Sequence, residues 1–227
     1  MNNEKSGVLD ALIIGAGFSG ICLGKRLLDE GIRNFRIADK APKAGGTWYW
    51  NSYPGAACDV QSHFYSFSFE PNPDWSRKYS PWNEIQAYAE HCVDKFGLRS
   101  HIDPGKEVAQ SRFVDASGLW EVSFTDGRRV LARHVIDGTG GLHVPLIPQF
   151  EGADSFQGEH WHSSQWRHDV DLTGKRVAVI GSAASAVQIV PAIAKTAAQV
   201  NLFQRTANWI IPRHDRAYHG WEKWVFR

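Results

Sequence analysis

Cysteine is scarce and poorly spaced for a structural role. The three residues, Cys22, Cys58 and Cys92, are odd in number, far apart and form no CxxC pair. That argues against a disulfide framework and a zinc site, so no metal is expected and a reducing cytoplasm is the simpler compartment. Charge of one sign is lacking too. A formal net charge of +1 gives bulk electrostatics no hold on nucleic acid or an anionic membrane, and neither is expected as a partner. No run of about 20 apolar residues occurs, so no membrane span is expected. The start, Met1-Asn2-Asn3-Glu4-Lys5, lacks the basic residues and long apolar stretch of a secretory signal. What remains is a chain of 227 residues, 43% apolar, which is enough for one large domain or one domain plus part of another.

Two segments share one plan. Residues 11–14 form a short apolar strand, a glycine-rich turn follows, and a helix is expected from about 18 to 30, with Gly31 placed to end it. Residues 35–38 form a second strand, which completes a βαβ unit. A strand over 177–180, a helix over about 184–197 and a strand over 200–204 repeat it. Between the repeats lies a loop-rich, aromatic stretch over 41–80. A helix with Ser80 as N-cap and Pro81 in its first turn comes next, with an apolar stripe of Ile85, Tyr88, Ala89, Cys92, Val93 and Phe96. A β-hairpin over 119–124 and 130–135 then runs into a tight turn, Gly138-Thr139-Gly140-Gly141.

The first turn, Gly15-Ala16-Gly17-Phe18-Ser19-Gly20, is a full GxGxxG between strand and helix. Its glycines make the turn, let the backbone approach a pyrophosphate and let helix pack on strand, while the helix N-terminus offers N–H groups to phosphates. Asp39, at the end of the next strand, is placed to accept hydrogen bonds from ribose hydroxyls. The second turn, Gly181-Ser182-Ala183-Ala184-Ser185-Ala186, keeps only the first glycine. Asp39 lies 24 residues after Gly15, and Arg205 lies 24 residues after Gly181. A guanidinium there can bind a 2′-phosphate that a carboxylate would repel, so the second unit suits NADPH. A third feature is the loop from Gly45 to Gly55, which holds Gly46, Thr47, Trp48, Trp50 and Tyr53 and leads into Cys58-Asp59-Val60. Its glycines allow close backbone approach, and its aromatics offer flat faces for a ring system.

These segments, with Gly138–Gly141, Gly181–Gln188 and Phe203–Thr206, resemble the flavin-binding monooxygenases, specifically the Baeyer–Villiger monooxygenases. Phe156, Gly158, His162 and Trp166 match that family's FxGxxxHxxxW fingerprint. The resemblance implies an α/β fold of two Rossmann-like dinucleotide-binding domains. An FAD-binding domain with a β-hairpin insertion would occupy 1–148, a linker carrying the fingerprint 149–170, and the first part of an NADPH-binding domain 171–227. It extends the cofactor-binding set to Lys40, Val60, Tyr65, Val108, Thr139, Gly140, Gln188 and Thr206. It implies a cycle in which NADPH reduces FAD, a flavin C4a-peroxide forms with O2, and a ketone becomes an ester or lactone. Asp59 would be both cofactor-binding and catalytic, holding an arginine beside the developing negative charge. His162 would have an organisational part, coupling domain movement to catalysis.

Several positions depart from the resembled pattern. Ala57 stands where arginine is usual, Ser163 where threonine is, Arg167 where proline or aspartate is, and Asp137 where a small residue precedes the turn. Members are also about twice as long. The catalytic arginine and the rest of the NADPH domain are expected beyond Arg227, where Trp221, Trp224, Val225 and Phe226 leave an apolar end, and this chain by itself is expected not to complete the reaction. Two other readings stand beside the ketone oxygenase: a monooxygenase acting on amine nitrogen or sulfide sulfur, and a nucleotide-binding module without turnover.

Overall fold

The computed structural model describes residues 7–227; the stretch read above for a leader lies outside them. The chain divides into two compact units, one of residues up to Tyr49 together with Ile85–Gly141, the other of Trp50–Glu84 together with Leu142–Arg227.

The first unit is built on β1 (Val8–Ile14), α1 (Phe18–Asp29), β2 (Phe35–Asp39), β3 (Ile102–Pro104), β4 (Val108–Val114), β5 (Leu119–Phe124) and β6 (Arg129–Asp137). The six strands make one sheet in the order β3-β2-β1-β6-β5-β4. The centre is parallel: Ile13 pairs with Ile37 on one side and with Ile136 on the other. Central strands buried on both faces read as unbroken apolar runs, and Ala11, Leu12 and Ile13 are all buried. A one-turn helix α2 (Thr47–Trp50) stands where the sequence suggested only loop, and α3 (Trp82–Lys95) buries Ile85, Tyr88, Ala89, Cys92 and Val93 of the expected stripe, while Phe96 lies past its end and is half-buried.

The insertion differs from the expected hairpin. It is a three-stranded antiparallel meander, β4-β5-β6, and β6 is also a parallel neighbour of β1. Strand β4 escaped notice because Ala109–Phe113 is exposed and mostly polar, so no apolar alternation marks it.

The second unit holds a two-stranded parallel sheet of β7 (Arg176–Ile180) and β8 (Gln199–Phe203), with α4 (Ala184–Ile193) between them in sequence. Its core gathers Tyr53, Ala56, Ile189 and Ile193, with Trp82, Trp166, Val177 and Val200 around them. Packing therefore places Trp50–Glu84 with the C-terminal residues, whereas the limits drawn along the sequence at 148 and 170 follow chain order. Helix α4 ends four residues before the expected 197. Pro191 removes an N–H from its last turn, and the Thr196 and Ala197 N–H groups both bond to the Ile193 carbonyl instead. Ser80 does not cap α3. Its hydroxyl meets that of Ser62 at 2.8 Å, and the Pro81 carbonyl takes the first turn's N–H from Glu84.

The C-terminal stretch folds back as a clasp. Helix α5 (Gly220–Val225) starts with a capping box, His219 with Glu222. The Lys78 N–H donates to the Arg216 carbonyl at 2.9 Å and the Tyr218 N–H to that of Ser76 at 3.1 Å. Phe226 stacks on His63 at 4.6 Å, so this apolar residue finds a partner while Trp221 and Trp224 stay exposed. In the two-stranded sheet Ile180, Leu202 and Phe203 are exposed as well. No helix among the described residues is long and apolar enough to cross a membrane.

Candidate functional site: two dinucleotide turns

The first unit brings three separate glycine motifs to one place. Gly15 has φ +106°, a backbone only glycine adopts freely, and its N–H donates to the Ala38 carbonyl at 2.7 Å. A β-carbon on Gly15 would stand 2.5 Å from the Gly138 carbonyl oxygen, and one on Gly20 would overlap the carbonyl of Gly15. A β-carbon on Gly46 would lie 2.9 Å from the α-carbon of Gly17, so two bare stretches of backbone face each other. Gly17 is the extended N-cap of α1 and no side chain caps that helix, which leaves its first N–H groups for a ligand. Phe18 and Ser19 open the helix, Thr47 and Trp48 follow Gly46 on α2, and Lys40 follows β2. Val108 sits beside the bulge that starts β4. This cradle of backbone donors, closed to side chains, fits a pyrophosphate.

Asp39 is buried and has a task beyond the one expected of it. Its carboxylate accepts the Ala16 N–H at 2.6 Å and the Ala41 N–H at 2.7 Å, so it ties the turn to the end of β2. Two of the roughly four acceptor directions of a carboxylate remain for a ribose. Asp137 has a comparable local task. It accepts the Thr139 N–H at 2.9 Å, and that bond holds its carboxyl below the usual carboxylate range. The departure at Asp137 thus caps the turn that presents Thr139 and Gly140. A further residue, Gln86, went unrecognised in the sequence. Its amide bonds the Ala44 carbonyl and fills the space a side chain on Gly45 would need. The only advance sign was a glutamine next to the buried stripe of α3.

The second unit repeats the turn. Gly181 has φ +101° and donates to the Phe203 carbonyl at 2.8 Å. Ala183 is the extended N-cap of α4, again without a side-chain cap. Ser182 is engaged by its own chain: its hydroxyl donates to the Thr206 carbonyl at 3.3 Å, and Asn208 bonds its carbonyl at 2.6 Å. Ser185 is half-buried on the first turn of α4. The register differs by one residue between repeats. Ile14 pairs with Ala38, one residue before Asp39, whereas Ile180 pairs with Phe203, two residues before Arg205. Equal spacing in sequence therefore becomes a one-residue offset in the sheet, because the second unit returns to its partner strand one residue sooner, with a helix of 10 residues in place of 12. Arg205 lies past the end of β8, exposed and with no hydrogen bond or ion pair among the described residues. A guanidinium in that state fits a 2′-phosphate.

The remaining expected residues lie on the second unit's loops. Gln188 places its amide on Ala57 and Tyr53. Asp59 and Val60 are exposed, and the Asp59 carboxylate has no partner among the described residues. Next to them Cys58 is buried, which pushes its thiol pKa up. Tyr65 is half-buried, with its N–H on the Ser62 carbonyl at 2.8 Å. In the fingerprint segment, His162 caps the short turn Ser163–Gln165 by accepting the Ser164 N–H at 3.2 Å. Trp166 packs into the core and meets Trp161 edge-on at 5.6 Å. Phe156 is exposed, and its ring covers Gly158, where a side chain would collide with it. Arg167 pairs with Glu159 and Asp169, and holds the Asp169 carboxyl at about 2.

Comparison with known proteins places this arrangement. The chain matches the family described as flavin-binding monooxygenase-like over residues 10–226. It is 46% identical over 215 residues to a Baeyer–Villiger monooxygenase of Pseudomonas aeruginosa, covering 95% of this chain and 41% of that protein. Among solved structures, cyclohexanone monooxygenase from Rhodococcus sp. Phi1 bound to NADP+ is similar at TM-score 0.90 and 37% identity, covering 96% of this chain and 42% of that one. A structure of OTEMO in complex with FAD and NADP gives TM-score 0.92 at 35% identity, covering 98% and 44%. The chain spans about two fifths of the length of the curated relatives it matches.

Proposed function

The chain belongs to the flavin-binding monooxygenase-like family, and on that footing we propose that its first turn holds FAD, its second holds NADPH, and the two serve insertion of one oxygen atom from O2 into a ketone. The observation that carries the reading is the repeated turn. Both copies have a positive-φ glycine at the strand end and an uncapped helix N-terminus, and they diverge at Asp39 and Arg205. An acidic end suits a ribose with free hydroxyls, and a basic end suits one that carries a 2′-phosphate. In the first unit Gly15, Gly17, Phe18, Ser19, Gly20, Gly46, Thr47 and Thr139 would line the FAD, with Asp39 fixing the turn beneath it. In the second, Ala183, Ala184 and Ser185 would meet the NADPH pyrophosphate, and Arg205 with Thr206 its 2′-phosphate. FAD, when bound, supplies the redox and oxygen chemistry that no side chain has.

Asp59 is the residue we propose for direct electrostatic work. Its exposed carboxylate is available to orient a guanidinium beside a developing negative charge. Support for a ketone over an amine or sulfide comes from Phe156, Gly158, His162 and Trp166, and from the named activity of the relatives. We propose the cytoplasm as the working compartment, since no disulfide joins the described cysteines.

The test is product analysis. A chimera of these 227 residues followed by the remainder of the Pseudomonas aeruginosa relative, which this chain does not cover, is incubated with FAD, NADPH, labelled O2 and either a cyclic ketone or a thioether. A lactone carrying one labelled oxygen is expected. A sulfoxide with no lactone would move the assignment to heteroatom oxygenation, and binding of both cofactors without any labelled product would leave a nucleotide-binding module.

A further inference from the structure

Gln188 lies on α4, four residues after Ala184, and its amide is committed within its own unit. The Nε2 group donates to the Ala57 carbonyl at 2.8 Å, and Oε1 accepts the Tyr53 hydroxyl at 3.1 Å and the Ala57 N–H at 3.4 Å. The main chain is keyed to the same place. Gly55 has φ +81°, and a β-carbon on it would lie 2.5 Å from the Gln188 carbonyl oxygen and 3.2 Å from the Ala192 β-carbon. Tyr53 and Ala56 share a buried cluster with Ile189 and Ile193. The loop is thus joined to α4 by side-chain bonds, by close backbone approach and by burial. The next residue along, Cys58, is fixed by its N–H on the Ser80 carbonyl at 3.0 Å, and Asp59 follows directly.

At its other end α4 begins at the uncapped turn of Ala183. One ten-residue helix therefore carries both the N–H groups offered to a dinucleotide and the glutamine that holds the Asp59 segment. We propose that Gln188 is a positioning residue, through which a dinucleotide bound at the start of α4 orders the Tyr53–Asp59 segment. This rests on the NADPH reading of the second turn. Packed elements without such a link respond separately, whereas a ligand that rigidifies a helix rigidifies what is bonded to it.

Hydrogen exchange of the 227-residue protein, with NADP+ as the probe, tests this. In the wild type NADP+ is expected to slow exchange in peptides covering 181–187 and in those covering 53–60. In Gln188→Ala, exchange over 53–60 without ligand is expected to rise about tenfold, and NADP+ is expected to protect 181–187 only. Gln188→Glu keeps the acceptor for Tyr53 and Ala57 and loses the donor to the Ala57 carbonyl, so it should retain part of the coupling. If Gln188→Ala also loosens the β7 peptide over 176–180, the Glu variant carries the comparison. Protection of 181–187 with no response over 53–60 in the wild type would overturn the proposal and leave the NADPH reading intact. No response in either peptide would overturn both.

Discussion

Replacing Asp39 separates two accounts of the same carboxylate. If its task were only to hold a ribose, Asp39→Ala would weaken FAD binding and leave the protein without cofactor as stable as before. The structure gives it a second task, as acceptor for the Ala16 and Ala41 N–H groups at 2.6 and 2.7 Å. Ala16 and Ala41 are completely buried, so water cannot take the place of the lost oxygens. Each unpartnered buried N–H costs about 1–3 kcal/mol, which gives about 2–6 kcal/mol for the pair. For a chain of this length that is a fall of roughly 4–24 °C in thermal midpoint. Asp39→Asn keeps one acceptor oxygen and presents a donor to the other N–H, so about half the loss is expected. The assay is thermal unfolding by circular dichroism on cofactor-free protein, followed by FAD uptake from visible absorbance. An Asp39→Ala protein that melts with the wild type while failing to take up FAD would refute the turn-holding account.

Three further outcomes are expected. Gly15→Ala should abolish FAD uptake, because a β-carbon meets the Gly138 carbonyl and φ is +106°, whereas Gly97→Ala, at φ +68° with open space around it, should lose only about 1–2 kcal/mol of stability by chemical denaturation and keep FAD. Arg205→Ala should weaken NADPH binding about tenfold to a hundredfold in calorimetric titration and leave NADH binding and thermal stability unchanged, since the side chain is exposed and a lost phosphate contact is its only consequence. The clasp should open in acid. The bond from Arg216 holds the Glu222 carboxyl at about 2 instead of 4.5, so its stabilisation is complete above 4.5 and is lost as pH falls towards 2. Burial lowers the pKa of His63 from 6.5, so below that pH the unfolded state gains protons and the contact with Tyr218 weakens in the same direction. Pepsin should therefore cut within 215–227 increasingly between pH 5 and 2 in the wild type, and with little change across that range in Glu222→Gln.

Most of the frame could be read from the chain. Gly15 and Gly181 announced two turns because a positive-φ glycine between an apolar strand and an apolar helix has few other uses, and both adopt that backbone. What the sequence hid depended on distance along the chain. That Gly46 and Gly138 close the first cradle is a matter of contacts between residues far apart in number. The offset of Arg205 came from a shorter helix and a pairing register one residue different, which a spacing count cannot register. Strand β4 was invisible because its exposed, polar residues carry no period, and it is defined by its pairing with β5. The resemblance gave Gln188 as a cofactor contact, and its second part was hidden because the loop it holds is more than 130 residues away in sequence. The clasp of 215–227 on 61–80 was likewise beyond local signals, since its bonds, such as Lys78 to Arg216 along the main chain and Arg77 to Asp215 between side chains, join residues more than 130 apart in sequence.

If one chain carries two dinucleotide sites of different preference, both cofactors bind to it at once. The most direct measurement is equilibrium binding of both cofactors to the purified protein. FAD would be titrated first by visible absorbance, and NADPH then added without oxygen to the FAD-saturated protein in a calorimeter. The account predicts one FAD per chain, and one NADPH per chain that binds without releasing it. Displacement of FAD by NADPH, or saturation of the chain by a single dinucleotide of either kind, would contradict it.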